Sequence, residues 1–534
     1  MNSPVGRLDC DERGGRMWER YCSFLDLSVE GFIARQEELL QQQLRLLVGS
    51  PWGDLFLGKR APRDAAELRS QVPLTTYQDY LPYLGKDREN LLPVRPYLWA
   101  HTSDRCGSFK WVPYTRQAYD SLADISIACF ILACASKKGE VNLRKGDRIL
   151  YNLPPRPYMS GFIGFGILER FPFRPIIPLE IAESMDFKER TKASFREALT
   201  SGVDFVASMT SVLVKVGEDL TERANNGGGK LGKVVTQPGA LGRLLKAKLQ
   251  SGIEGRGMLP KDLWSPKAVM CWGIDTEVFR DRLNRHWGQV PYEVYACTEA
   301  GIIAMQAWNR RGQTLVPHAV FLEFLAENER VKVQQEPSYT PSTVLIDELQ
   351  PGQRYELVIT SFHGMPFVRY RVGHFVRVMD RDDHETGVRL PQVTFDGRAD
   401  DLIDIAGFTR IDEKTIWRAL VRCGINCADW VVRKEEQTGT PVLHLYLEDG
   451  PFQVGPGIAR QLHDSLAAID PFYRDLDRLL GIDPLRVTVL KKGTFKSYYE
   501  EKRKQGLGLL ECVPSKMGPP DETVWDLKRL SSGG

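Results

Sequence analysis

The stretch from Gly352 to Glu413 constrains this chain most. It reads GQRYELVITSFHGMPFVRYRVGHFVRV and then, after a polar break, TFDGRADDLIDIAGFTRIDEK. Its first half alternates with period two, Tyr355, Leu357 and Ile359 against Glu356, Val358 and Thr360. That period predicts a strand, a turn at His363-Gly364-Met365-Pro366, and a second strand through Phe367, Arg369 and Arg371. Gly373 then breaks the alternation, where the backbone can turn sharply or come close to a ligand. Arg369 and Arg371 are expected to share a strand face beside the turn. Solvated or ion-paired arginines satisfy that spacing as well as an anion site does.

At 534 residues the chain exceeds one ordinary domain and can bury a large core with a smaller companion. Its net charge of +2 argues against nucleic acid as a main partner. Ten cysteines are scattered without a Cys-x-x-Cys pair and histidines are few, so a zinc site is not expected. The opening MNSPVGRLDCDERGG has no apolar run and is not a secretory leader, so a cytoplasmic setting with reduced thiols is the expectation. The apolar run Leu122–Ala135 is shorter than the roughly 20 residues needed to span a bilayer and contains Asp124. It reads as a buried helix, and no membrane partner is expected.

Along the chain, Ser28 can cap a helix with Phe32, Ile33, Leu39, Leu40, Leu44 and Leu47 on one broad face. Val72-Pro-Leu-Thr-Thr-Tyr-Gln-Asp-Tyr is a helix-entry signal. Thr102, Ser103, Gly107 and Lys110 lie in a loop of small hydroxyl residues, glycine and lysine, the types that surround a phosphate. An ordinary polar loop has the same composition. Gly161, Gly164 and Gly166 fall in an apolar helical run, which suits close packing and is not a dinucleotide fingerprint. Gly227–Lys233 fits Gly-x4-Gly-Lys, but Val234 stands where a Ser or Thr would bind Mg²⁺, so a flexible loop is expected. Arg243, Lys246 and Lys248 suggest a solvated basic helix face. Lys267–Gly273 reads as a buried strand and Thr276–Trp287 as a helix. A strand then ends in Tyr295-Ala296-Cys297-Thr298-Glu299, which brings an aromatic face, a hydroxyl and a carboxylate to one strand end. Mg²⁺ prefers one or two carboxylates together with phosphate oxygens. A plain strand-end turn is the alternative. Beyond residue 402 helices and strands alternate as in a small α+β domain, and the tail from Gly518 reads as partly disordered.

In their order these segments resemble the adenylate-forming superfamily, which includes acyl-CoA synthetases, luciferases and peptide-synthetase adenylation domains. Arg-Tyr-Arg-Val-Gly at 369–373 and Gly-Arg-Ala-Asp-Asp at 397–401 match its ribose and hinge segments. Residues 102–110 match its phosphate loop, with Asp104, Arg105 and Cys106 replacing Gly, Thr and Thr. The 295–299 motif and the Val72–Leu84 entry segment are closest to the plant-type, auxin-responsive acyl acid–amido synthetases. The resemblance implies an α/β fold. A large N-terminal domain of layered sheets and helices (1–399) would precede a smaller, mobile α+β domain (400–534), hinged at Asp400 or Asp401.

The resemblance also implies ATP-dependent adenylation of a small carboxylic acid and acyl transfer to an amine or amino acid. ATP would meet Thr102, Ser103, Gly107, Lys110, Tyr295, Ala296, Cys297, Thr298, Arg371, His374 and Arg398. Glu299 would hold Mg²⁺ and serve catalysis with a C-terminal lysine. His374 stands where the family has an acidic residue, and Cys512 where it has the catalytic lysine, so Lys516 becomes the candidate. A CoA ligase shares the first half-reaction. A nucleotide-binding scaffold would also fit Asp104, His374 and Cys512.

Overall fold

The computed structural model describes residues 14–58, 60–103, 109–185, 187–225, 238–272, 276–336, 339–398, 403–405, 409–411, 413–425, 427–437, 440–448, 457–480, 484–505, 514 and 516–532. In the main, one compact unit runs up to Gly397 and a second begins at Arg398.

The larger unit opens its sheet structure with a hairpin of β1 (Leu98–Ser103) and β2 (Phe109–Tyr114). Eleven further strands form one sheet: β3 (Arg148–Asn152), β4 (Arg174–Pro175), β5 (Phe205–Met209), β6 (Ala268–Trp272), β7 (Tyr292–Cys297), β8 (Gly301–Met305), β9 (Gln313–Leu315), β10 (Val320–Ala326), β11 (Arg354–Ser361), β12 (Tyr370–Asp380) and β13 (Gln392–Arg398). Their order is β10-β11-β12-β13-β9-β8-β7-β6-β5-β3-β4. From β4 to β7 the pairings are parallel, and from β7 to β9 antiparallel, as they are from β10 to β12. Phe205-Val-Ala and Ala268-Val-Met-Cys are buried without alternation, as expected of parallel strands covered on both faces.

Helix α1 (Val29–Leu47) starts where Ser28 Oγ accepts from the Gly31 amide at 3.2 Å. Two buried glutamines attach it to the sheet. Gln36 donates to the carbonyls of Pro317 and Val320 and accepts from the Leu322 amide. Gln43 donates to the Met365 carbonyl and accepts from the Gly364 amide, which fixes the turn before β12. Tyr80 Oη completes that clamp, accepting from the Val368 amide at 2.9 Å.

Helix α2 (Arg116–Cys134), capped by Thr115, is buried along most of its length and takes in the apolar run noted above. Helix α3 (Met159–Arg170) packs on it, and here the glycines serve packing. A Cβ at Gly161 would fall 2.2 Å from the Arg156 amide nitrogen, and one at Gly164 2.8 Å from the Tyr151 ring. Helix α4 (Pro238–Ile253) follows a segment, including Gly227–Lys233, that lies outside the described residues.

Burial lowers the His318 and His363 imidazoles to about 4, helped by Arg35 beside each. They are neutral when folded, whereas an unfolded histidine titrates near 6.5. Below that value the unfolded chain binds more protons, so stability is full above about pH 6.5 and drains as pH falls toward 4. Each histidine should remove about 1–2 kcal/mol by about pH 5. Urea melts of wild type against His318→Gln/His363→Asn check this, because the variant's stability should fall less with acid over that range. Asparagine suits position 363, whose φ is +61°.

The smaller unit pairs β14 (Ile403–Ile405) with β15 (Thr409–Ile411). It also builds a three-stranded sheet from β16 (Asp429–Gln437), β17 (Thr440–Glu448) and β18 (Leu485–Leu490), with β17 and β18 parallel. Helices α5 (Glu413–Arg422), α6 (Ile458–Ile469), α7 (Thr494–Lys504) and α8 (Asp521–Ser532) accompany them. Helix α8 corrects the expectation of a partly disordered tail. Its Val524 and Leu527, one turn apart, are buried with Val431, Tyr446, Leu490, Phe495 and Tyr498.

Candidate active site

Strands β3, β5, β6 and β7 run parallel, so their C-terminal ends share one sheet edge, where open α/β sheets bind ligands. The end of β7 carries Tyr295, Ala296 and Cys297, and the following turn carries Thr298 and Glu299. Tyr114 Oη, from β2, donates to the Thr298 carbonyl at 2.7 Å and anchors that turn. Glu299 is buried, and Tyr370 Oη donates to its Oε1 at 3.2 Å. Burial, and then the neighbouring carboxylate charge, push the Tyr370 phenol well above its ordinary range, so it stays a proton donor toward Glu299.

Strand β12 brings the next residues in through a bulge. Glu356 of β11 lies opposite Phe375 while Val358 lies opposite Arg371, so β12 carries extra residues between 371 and 375. Gly373 sits in that bulge with φ +73°, the sharp turn its position implied. The bulge carries His374, whose Nδ1 shares a 3.0 Å hydrogen bond with the Tyr295 hydroxyl. Phe395 of β13 completes a three-ring cluster, its centroid 5.5 Å from Tyr295 and 5.4 Å from His374. The position held by an acid in the resembled enzymes is therefore an imidazole coupled to the motif tyrosine.

The two arginines do not share a strand face, contrary to expectation. Arg369 precedes β12 with φ +44°, and its guanidinium is buried against Glu323. Arg371 lies on β12 and binds Glu356 with two bonds, Nε to Oε1 at 3.0 Å and Nη2 to Oε2 at 2.7 Å. Its amide donates to the Thr75 carbonyl, which ties the helix-entry segment to this strand.

In the β1–β2 hairpin Thr102 lies directly opposite Lys110, whose ammonium stands 5.3 Å from the Tyr77 ring centroid. Gly107, Asp400, Asp401 and Cys512 lie outside the described residues, as do the side chains of Thr102, Ser103 and Arg398. In the smaller unit, Lys516 Nζ is ion-paired with Asp429, which also accepts from Tyr499 Oη at 2.7 Å. The structure thus joins Tyr295 to His374 and Glu299 to Tyr370, with Thr298 in the same turn, while Arg371 turns to Glu356 and Lys516 sits in its own polar cluster. Tyr370, Tyr114, Phe395 and Glu356 were not anticipated. Only Tyr370 left a sequence signal, standing between the two arginines of Arg-Tyr-Arg.

Among the described residues no group of three or more His, Cys, Asp and Glu side chains could hold a metal ion. The buried Glu299 carboxylate suits the other mode, a Mg²⁺ shared between one protein carboxylate and phosphate oxygens.

The fold is that of the adenylate-forming ligases. Superposition on 2-hydroxyisobutyryl-CoA ligase in complex with 2-HIB-AMP and CoA gives a TM-score of 0.59 at 12% identity, covering 95% of this chain and 99% of that one. The GH3.15 acyl acid amido synthetase in complex with 2,4-DB gives 0.52 at 16% identity, covering 98% and 97%. Residues 313–398, from β9 to β13, match the GH3 family central domain. A probable indole-3-acetic acid-amido synthetase GH3.2 of Oryza sativa subsp. japonica is 23% identical, over 89% of this chain and 86% of its own length.

Proposed function

We propose that the chain is an ATP-dependent acyl acid–amido synthetase. The observation that carries the proposal is the joining of the 295–299 motif, Tyr295 to His374 and Glu299 to Tyr370, to β12, which lies within the segment matching the GH3 central domain. In the first half-reaction a carboxylate oxygen attacks the α-phosphorus of ATP, the bond to the β-phosphate breaks, and pyrophosphate leaves. In the second, an amine nitrogen attacks the acyl carbon, the bond to AMP breaks, and the amine gives up a proton. Keeping the mixed anhydride from water is the main demand on the protein.

In this reading the ring cluster of Tyr295, His374 and Phe395 borders the nucleoside, with Ala296, Cys297 and Thr298 beside it. Arg371 and Arg398 would serve its ribose, and Thr102, Ser103, Gly107 and Lys110 its phosphates. Mg²⁺ held at Glu299 would supply charge neutralisation to the phosphates. Lys516 would meet the acyl carboxylate and α-phosphate, which requires its ion pair with Asp429 to open. Asp400 and Asp401 would act as the hinge. A cytoplasmic setting, where thiols stay reduced, belongs to the same proposal.

The test is pyrophosphate release across a panel of carboxylic acids, with amino acids or CoA as acceptor and product masses measured. Amide masses are expected. Thioester masses would make the chain a CoA ligase, and silence across the panel without ATP binding would make it a scaffold.

A further inference from the structure

Helix α4 presents a surface that catalysis does not explain. It buries a narrow side, Ala240, Ala247 and Ser251. Leu241, Leu245, Leu249 and Ile253 recur every fourth residue and are exposed by 40, 54, 68 and 86%. At about 100° per residue they form one stripe covering about 120° of the helix. Lys248 borders the stripe on one edge and Lys246 on the other, both exposed, and Gly242 and Gly252 lie within it. Arg243 is turned away and donates to the carbonyls of Leu199 and Thr200 at 2.9 and 2.7 Å. The helix carries no acidic residue. The expected basic face is therefore an apolar stripe with cationic edges.

Single exposed aliphatic residues are ordinary, but four in a row need a covering surface. A second copy would set two acid-free, lysine-edged faces together and place like charges side by side. An uncharged apolar partner would leave both lysine edges without counter-charge. An anionic lipid surface answers both features. Leucine and isoleucine enter the boundary between headgroups and acyl chains, and lysine stems follow them while the ammonium groups reach lipid phosphates and carboxylates. At 16 residues the helix is shorter than the roughly 20 that span a bilayer, so it lies on the surface. We propose that α4 docks the protein on anionic bilayers, which revises the expectation of no membrane partner. This inference does not depend on the proposed reaction.

The test is co-sedimentation of the full chain with phosphatidylcholine vesicles, with and without phosphatidylserine. Binding is expected only with phosphatidylserine, and it should weaken as salt rises. Leu245→Ser/Leu249→Ser should lower partition about tenfold or more, and Lys246→Gln and Lys248→Gln about fivefold each. These positions are exposed, so thermal melts should match wild type. Failure to bind phosphatidylserine vesicles overturns the proposal, whether or not an acidic protein binds instead. So does undiminished binding by the leucine variant, or a wild-type dimer in light scattering that this variant dissolves.

Discussion

Replacing Arg369 by methionine is expected to destabilise the larger unit by about 3–5 kcal/mol, the usual effect of breaking a buried ion pair from one side. Arg369 and Glu323 are 1% and 0% exposed in their side chains. The guanidinium donates to Glu323 through Nε and Nη2, to Thr343 Oγ1, and to the carbonyls of Arg69 and Val72. Thr343 Oγ1 in turn donates to Glu323 at 2.6 Å. Removing the cation leaves a carboxylate in the interior with a single hydroxyl donor, and two carbonyls lose their partner. Glu323→Leu alone should be costly for the reverse reason. The pair Arg369→Met/Glu323→Leu, which buries no unpaired charge, should recover most of the loss. Urea unfolding followed by tryptophan fluorescence reads all three, and a double variant no more stable than Arg369→Met would show the two side chains uncoupled. Arg369 comes immediately before Tyr370 and Arg371, so activity should fall along with stability.

Arg369 also shows how far local pattern reaches. The period-two alternation located β11, and the glycine at 373 located an irregularity in β12. Arg369 read as a strand residue because alternation carries no information about φ. Its left-handed backbone is imposed by the Thr75 and Tyr80 contacts and by Glu323, all distant in sequence. Caps were readable for the opposite reason. Ser28, the cap read from the sequence, bonds an amide three residues on. Helix α8 was hidden by the Gly-Pro-Pro before it and the Ser-Ser at its end, while Val524 and Leu527 supply the buried side. The leucine stripe of α4 was in the sequence, yet a repeat of four describes a core-facing helix equally well, and only burial distinguishes the two. At the candidate site the motif order pointed to Tyr295, Glu299 and Arg371. Their partners Glu356 and Phe395 come from other strands, and which strand adjoins which follows from the sheet order β11-β12-β13-β9-β8-β7, while Tyr114, which anchors the turn at Thr298, comes from the separate β1–β2 hairpin.

The Glu299→Gln variant is expected to lose pyrophosphate release by about a hundredfold or more, the scale on which electrostatic groups at phosphoryl centres act. The substitution removes one negative charge and little else. A glutamine carbonyl still accepts from Tyr370 Oη, and the turn stays anchored by Tyr114 at Thr298, so the thermal melt should stay close to wild type. Tyr370→Phe is the complementary variant. It leaves the carboxylate in place but removes the hydroxyl that orients it, and an orienting partner of this kind is worth about 10–100-fold. The two variants together separate the possibilities. If Glu299 acts on the phosphates, the glutamine variant loses more activity than the phenylalanine variant, and raising Mg²⁺ rescues only the phenylalanine variant, which retains the carboxylate. If Glu299 were only a buried acceptor for Tyr370, the two losses would be alike and both melts would shift. Equal, Mg²⁺-insensitive losses would therefore remove Glu299 from the chemistry.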